Sequence, residues 1–313
     1  MTRRQLASFG PALALLGACL LFATQSPRFL TLDNASLITQ QVMVVGVLAI
    51  GQTLVILTAG IDLSCGMLMA LGSVITTMLA GPAGLSPMLA MLVGLGVTTS
   101  AGLLNGLLVT RVSLPPFIVT LGTMNIAFAL TQILSRSQSI TELPPLLTAL
   151  GRMIPLFGTG IAYGVVVMLL LYLLAWWLLR ETAGGRHVYA VGNHPETARL
   201  VGIDTQRVLV VVYTVAGALY GVAALLLIGR TGVGDPQAGQ TENLDAITAV
   251  VLGGTSLFGG RGIVLGSLIG ALIVGVFRNG LTLMGIPSVY QILVTGVLVI
   301  LAVATDQWSR RSA

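Results

Sequence analysis

Ten apolar stretches follow one another along this chain, most of them near the length that crosses a lipid bilayer, with short polar breaks between them. They lie at roughly 9–25, 41–58, 65–80, 88–110, 117–134, 160–179, 208–228, 244–258, 263–284 and 289–306. About 20 apolar residues in helical form span the ~30 Å hydrocarbon layer. Within that layer every backbone N–H and C=O has to be bonded inside the protein, which leaves the helix as the form for such runs. The expected fold is therefore an all-α integral membrane protein with about ten transmembrane helices. The third and eighth runs are short and flanked by glycine, so broken or re-entrant helices are expected there.

Composition agrees: 55% of residues are hydrophobic and 8% are charged, against about 25% charged in a soluble domain. All 15 basic residues are arginine. Without a lysine the chain cannot hold a nucleotide in a P-loop of its own. The net charge of +5 would point to nucleic acid in a soluble protein. Here the arginines sit in short loops and at the termini, where membrane topology accounts for them, and no nucleic-acid role is implied. With the N-terminus inside, ten arginines face the cytoplasm (positions 3, 4, 111, 180, 186, 199, 207, 261, 310 and 311) and four face outward (28, 136, 152 and 230). Arginine resists translocation, so both termini are expected in the cytoplasm. Arg3 and Arg4 followed by Leu16-Gly17-Ala18-Cys19 imitate a cleaved leader, but the apolar run continues through Leu20-Leu21-Phe22, and an uncleaved first span is expected. Cys19 and Cys65 are too few and too dispersed for a disulfide framework or a metal site.

Small residues mark how the spans pack. Ala90, Gly94, Thr98, Gly102 and Gly106 recur every four residues on the fourth span, and Gly262, Gly266 and Gly270 do so on the ninth. Such stripes let helix backbones approach closely in lipid. Two glycine-rich passages, 57–66 and 252–260, take similar places in the two parts of the chain. Five spans per part would invert the second relative to the first, giving two inverted five-helix halves at 1–159 and 160–313 within one transmembrane domain.

One long polar passage breaks the apolar sequence, Arg180 to Arg207, and it holds both histidines, His187 and His194. Asn193-His194-Pro195-Glu196 has the form of a helix start, with Asn193 as the cap and Glu196 able to reach back to its amide. Ala198 and Leu200 continue a short helix, and Gly202 ends it in a left-handed conformation. Charge counting puts this passage in the cytoplasm, either as a solvated loop with one helical turn or as a docking helix for a partner.

Asp62 is a carboxylate between apolar runs, costly unless it meets water, a partner or a helix end. Capping of the third span is the leading expectation for it, with contact to a solute or proton and a solvated loop as alternatives. Asn105, Thr120, Thr123, Asn125, Gln132, Asn279 and Gln291 lie in or beside spans. Their amides and hydroxyls suit hydrogen bonding to a sugar-like solute, or equally to a neighbouring helix. Arg278 lies inside a span with no acid at helical spacing, and snorkelling to the interface is expected for it. The chain of intramembrane acids of a proton-coupled carrier is missing. Neither His-Glu-x-x-His nor Gly-x-Ser-x-Gly occurs, so no catalytic residue is assigned.

Several stretches together resemble the membrane permeases of ribose-type ABC sugar importers. They are Gly60-Ile61-Asp62-Leu63-Ser64 with Gly66, Gly102-Leu103-Leu104-Asn105-Gly106, Pro116 to Thr123, Gly192 to Ile203, Leu244-Asp245-Ala246-Ile247 through Val251 to Ser256, Gly259-Gly260-Arg261-Gly262 and Arg278-Asn279-Gly280. The resemblance implies a ten-span permease of the bacterial inner membrane. It implies pairing with a second permease copy or a close paralogue, with cytoplasmic ATP-binding subunits that hold the ATP and Mg, and with a periplasmic sugar-binding protein. It implies no cofactor or metal in this chain. In such permeases the loop matching Gly192, Asn193, His194, Pro195, Glu196, Ala198, Arg199, Gly202 and Ile203 couples to the ATPase. Asp62, Ser64, Asn105, Thr120, Thr123, Asn125 and Asn279 are the candidate lining of the solute path. The polar segments 230–243 and 135–159 are the candidate outer docking surfaces. Ala59 and Cys65 stand where glycine and valine are more usual, and Asn193 and His194 where glycine and asparagine are. The alternative from another class is a self-sufficient secondary carrier for small polar solutes.

Overall fold

A computed structural model of the chain describes residues 3–156 and 158–311. The helices are α1 (Arg3–Gln25), α2 (Leu32–Leu57), α3 (Cys65–Ala80), α4 (Pro87–Arg111), α5 (Pro116–Ser135), α6 (Tyr163–Glu181), α7 (Ala183–Asn193), α8 (Pro195–Leu200), α9 (Thr205–Thr231), α10 (Glu242–Leu252), α11 (Val264–Leu283) and α12 (Ser288–Arg311). Every apolar run except 244–258 coincides closely with one helix. Among the described residues six are long and apolar enough to cross a membrane, namely α2, α4, α5, α6, α9 and α11. The chain is thus an all-α, multi-pass membrane protein. α10 has 11 residues and rises only about 16 Å, short of the bilayer core. The run 244–258 is not one helix, because Gly253 closes α10 and Gly254 takes φ +86°.

Local chemistry starts and stops these helices. The Thr31 hydroxyl accepts from the Asn34 amide at 3.3 Å to open α2, and Asp204 accepts from the Arg207 amide at 3.0 Å to open α9. Pro87 and Pro116 occupy first-turn positions of α4 and α5, where the missing N–H is harmless. Gly232, at φ +71°, ends α9. A small departure from all-α is the hairpin β1 (Met153–Leu156) and β2 (Thr159–Ala162), paired from Met153↔Ala162 to Leu156↔Thr159.

α2 lies at the centre, wrapped by α6, α7, α9, α10 and α11. Burial all round its circumference is what an apolar helix without a polar face dictates. The predicted stripe on α4 is a packing seam, with Gly94 against α3 and Gly102 and Gly106 against α9. A Cβ on Gly102 would fall within 2.9 Å of the Gly217 Cα, so the two backbones touch where both residues lack a side chain. The stripe on α11 packs in the same manner on α10, with Gly266 and Gly270 against Gly253 and Ala249.

The chain between α9 and α10 differs from an outer surface loop. Gly234 exchanges two 2.9 Å backbone hydrogen bonds with Ile140, beside Thr77 near the end of α3. Gly239 then lies on Gly66 at the start of α3, so the segment runs down the length of that helix. Pro236, Gly239 and Asn243 are buried. Of the 230–243 segment, Gln237 and Gln240 are among the residues left exposed.

Candidate functional site

Asp62 sits in the turn between α2 and α3 and is 1% exposed. Its Oδ1 accepts from the Ser64 amide at 2.8 Å and from the Ser64 hydroxyl at 2.6 Å, and its Oδ2 accepts from the Tyr220 hydroxyl of α9 at 3.0 Å. Ser64 is the residue that precedes the first turn of α3. Asp62 therefore fixes the chain just before that helix, two residues ahead of the cap position expected for it. A solvated loop is excluded by the burial. Three donated hydrogen bonds are what allow a carboxylate to stay in such surroundings.

From Ser64 the network extends. Asn105 Nδ2 of α4 donates to the Ser64 Oγ at 3.2 Å, and the Thr123 hydroxyl of α5 donates to Asn105 Oδ1 at 2.5 Å. The Thr120 hydroxyl donates to the Ile61 carbonyl at 3.1 Å, and Gln52 Nε2 of α2 donates to the Asp62 carbonyl. Five candidate path residues, Asp62, Ser64, Asn105, Thr120 and Thr123, thus share one cluster that ties α2, α3, α4, α5 and α9 together. Asn125 is exposed on α5, its amide donating to the Leu121 carbonyl at 3.1 Å. Asn279 lies elsewhere, on α11, donating to Asn34 Oδ1 at 2.9 Å. Tyr220 and Gln52 were not singled out from the sequence, since a tyrosine on one span and a glutamine on another carry no spacing signal toward Asp62.

The 180–207 passage forms two helices where one was expected. Thr182 opens α7 by accepting from the Gly185 amide at 3.1 Å, and α7 continues through Gly184 and Gly185 to Asn193. Asn193 is consequently helical and cannot serve as the extended cap of α8. His194, at φ −151° and ψ 91°, takes that position, and no side chain caps the helix. α8 begins at Pro195, and Gly202 follows it at φ +88°. α8 stands out from the body. Leu200 is 86% and Val201 72% exposed, while Ala198 on the opposite face is buried.

Behind α8, Gly192 is wedged against the end of α2. A Cβ there would overlap the Leu57 carbonyl oxygen and come within 2.8 Å of the Gly260 amide nitrogen. That amide donates to the same Leu57 carbonyl at 2.9 Å, and the Tyr189 hydroxyl donates to the Gly262 carbonyl at 2.9 Å. The two glycine-rich passages at 57–66 and 252–260 are therefore neighbours at one end of the bundle.

Ala59 adopts φ +60°, a left-handed conformation that costs a residue with a Cβ roughly 1 kcal/mol. Ala59→Gly is expected to stabilise the protein by about that amount, read as a higher thermal midpoint of the detergent-solubilised chain.

Arg278 has an acidic partner in addition to the interface that snorkelling would reach. Its Nη1 lies 3.2 Å from Asp245 Oδ2 of α10, with 44% of the arginine and 7% of the aspartate side chain exposed. The partner is 33 residues away on another helix, outside the reach of helical spacing.

The family model described as branched-chain amino acid transport system / permease component matches residues 34–303. The fructose import permease protein of Rhizobium meliloti is 48% identical over 91% of this chain and 81% of its own length. The ribose import permease protein of Bacillus subtilis is 40% identical over 95% and 92%. The D-allose transport system permease protein of Escherichia coli is 36% identical over 92% and 87%. No solved structure matches the chain. With its six membrane-length helices, its family match across 34–303 and these relatives along nearly its full length, the chain belongs to the branched-chain amino acid transport system / permease component family, among the ribose-type ABC sugar-import permeases.

Proposed function

We propose that this permease subunit of an ABC sugar importer works in the bacterial inner membrane with both termini in the cytoplasm, as ten spans in two inverted halves. Two copies, or one copy and a close paralogue, enclose the solute path. Cytoplasmic ATP-binding subunits supply the energy and a periplasmic sugar-binding protein delivers the solute. A small sugar of the ribose, fructose or allose kind is the expected cargo, following the relatives.

The observation that carries the coupling role is α8 with its bare Leu200 and Val201. Two adjacent apolar side chains bare at the tip of the most polar passage form a small patch that a docked partner would cover. α8 has the size and position of a helix that docks in a cleft of the ATPase, and Gly192 joins it to the ends of α2 and to the 253–263 turn. Asp62, Ser64, Asn105, Thr120 and Thr123 sit just beyond that junction, which supports their role where the path opens and closes.

The test is uptake of D-fructose, D-ribose and D-allose into proteoliposomes holding the permease, its ATP-binding subunit and its binding protein. Uptake that needs ATP and the binding protein is the expected outcome, and uptake by the permease alone under an ion gradient overturns the reading. In the same assembly, His194→Cys is expected to react with a membrane-impermeant maleimide only from the cytoplasmic side, and to be protected when the ATP-binding subunit is present. Reaction from outside alone overturns the topology.

A further inference from the structure

The Arg278–Asp245 pair stands between two cavities, which distinguishes it from an ordinary structural ion pair. One, of about 330 Å³, lies between α10, α11 and α12 and reaches Thr241, Ser288 and Thr295. The other, of about 210 Å³, lies between α2, α11 and the end of α9 and reaches Gln41, Arg230 and Thr282. Asp245, Arg278 and Gln291 line both. The larger is itself within the ~300–1,000 Å³ of small-molecule sites.

The chemistry around this space is specific. Arg278 is 44% exposed, and a guanidinium turned to hydrocarbon would be costly, so the space beside it suits water or a polar solute. Its ion pair uses Asp245 Oδ2. The Gln41 Oε1 is buried with no hydrogen-bond partner in the protein, an acceptor that costs about 1–3 kcal/mol while unpaired. In the smaller cavity Arg230 and Arg278 supply donors and the Gln41 and Asp245 oxygens acceptors, while the larger sets Arg278, Asp245, Gln291 and the hydroxyls of Thr241, Ser288 and Thr295 among apolar side chains. Arg230 and Arg278 are balanced by Asp245 and the nearby Glu242, so the surroundings carry no net charge that favours an ion of either sign. A neutral solute dense in vicinal hydroxyls satisfies both sets.

We propose that the space on either side of the Arg278–Asp245 pair is a low-affinity station for a monosaccharide, between the outer mouth of the permease and the Asp62 cluster. This deepens the sugar-import reading and rests on it. The station's lining comes from the end of α9, the end of α11 and the start of α12, which that reading places on the outer side. None of the candidate path residues, Asp62, Ser64, Asn105, Thr120, Thr123, Asn125 or Asn279, lines it.

The test uses the full-length permease in lipid nanodiscs, with Thr295→Cys in a Cys19→Ser background and a small methanethiosulfonate reagent. Millimolar D-fructose or D-ribose is expected to slow modification of this cysteine about threefold or more by occupancy of the site. A cysteine at the remote position 200 (Leu200→Cys) is expected to react at an unchanged rate. Arg278→Gln in the Thr295→Cys protein is expected to remove the protection while the protein still binds its ATP-binding subunit. Equal rates with and without either sugar overturn the station, as does equal slowing at both positions or by glycerol. ATP-dependent import by the wild-type assembly alongside an unprotected cysteine overturns the station and leaves the import function standing. Absence of import by that assembly removes the reading on which the station rests.

Discussion

Gly192→Val is expected to reduce binding-protein-stimulated ATP hydrolysis and sugar uptake by at least about tenfold, a loss of about 1.4 kcal/mol or more in coupling. The reason is steric and local. The position of a Cβ at 192 is already taken by the Leu57 carbonyl oxygen, with the Gly260 amide 2.8 Å away. Both are backbone atoms of packed segments, so no flexible side chain can swing aside, and overpacking of this kind costs about 1–3 kcal/mol. Relief requires α7 to back away from α2 and the 253–263 turn, which strains the hydrogen bond from Tyr189 to Gly262 and shifts α8 relative to the bundle. Gly202→Ala is a useful contrast. Its φ of +88° makes alanine strained, but its Cβ would meet open space, so a cost of about 1 kcal/mol is expected, with coupling largely retained. Paired measurements of ATPase stimulation and uptake in proteoliposomes check both variants. Wild-type uptake by Gly192→Val would remove this junction from the coupling route.

What the sequence made legible here was local. The apolar runs, the small-residue stripes on α4 and α11, the short eighth run and the helix ending at Gly202 all follow from spacing along one segment. Features that depend on two segments were not. Tyr220 meets Asp62 from 158 residues away, and Asp245 reaches Arg278 across two helices, so no pattern along the chain links either pair. A different limit applied to α7. The consecutive glycines 184 and 185 argue against a helix by propensity, yet Thr182 caps it, and Gly185 packs against the Leu178 and Leu179 carbonyls where a side chain would not fit. Tertiary packing outweighed a propensity cost of roughly 1 kcal/mol per glycine. That continuation of α7 also moved the cap of α8 from Asn193 to His194. The segment 232–241 reads in the sequence as part of an outer docking surface, and its packing along α3 was hidden for the opposite reason. It descends along α3 as a run of bends and turns, which leaves neither an apolar run nor a period.

Asp62→Ala is expected to prevent stable accumulation of the permease, whereas Asp62→Asn is expected to assemble. Alanine would leave the Ser64 amide, the Ser64 hydroxyl and the Tyr220 hydroxyl without their acceptor in a site that is 1% exposed. At about 1–3 kcal/mol for each buried unpaired group, the total is a large part of the ~5–15 kcal/mol that holds a typical protein folded. Asparagine keeps an oxygen for the two Ser64 donors and turns an N–H₂ toward Tyr220, whose hydroxyl oxygen can accept as well as donate. Its cost is therefore expected near 1 kcal/mol, and Tyr220→Phe near 1–3 kcal/mol, both measurable as shifts in thermal midpoint. In the double variant the two losses should be less than additive, because each removes the same contact. Transport then separates the remaining roles of this carboxylate. If Asp62 only braces the start of α3, Asp62→Asn imports sugar at a rate close to wild type. If it assembles fully and imports nothing, the negative charge itself is required, and the Asp62–Ser64–Asn105–Thr123 cluster acts on the solute or its path and not only on the helices it joins.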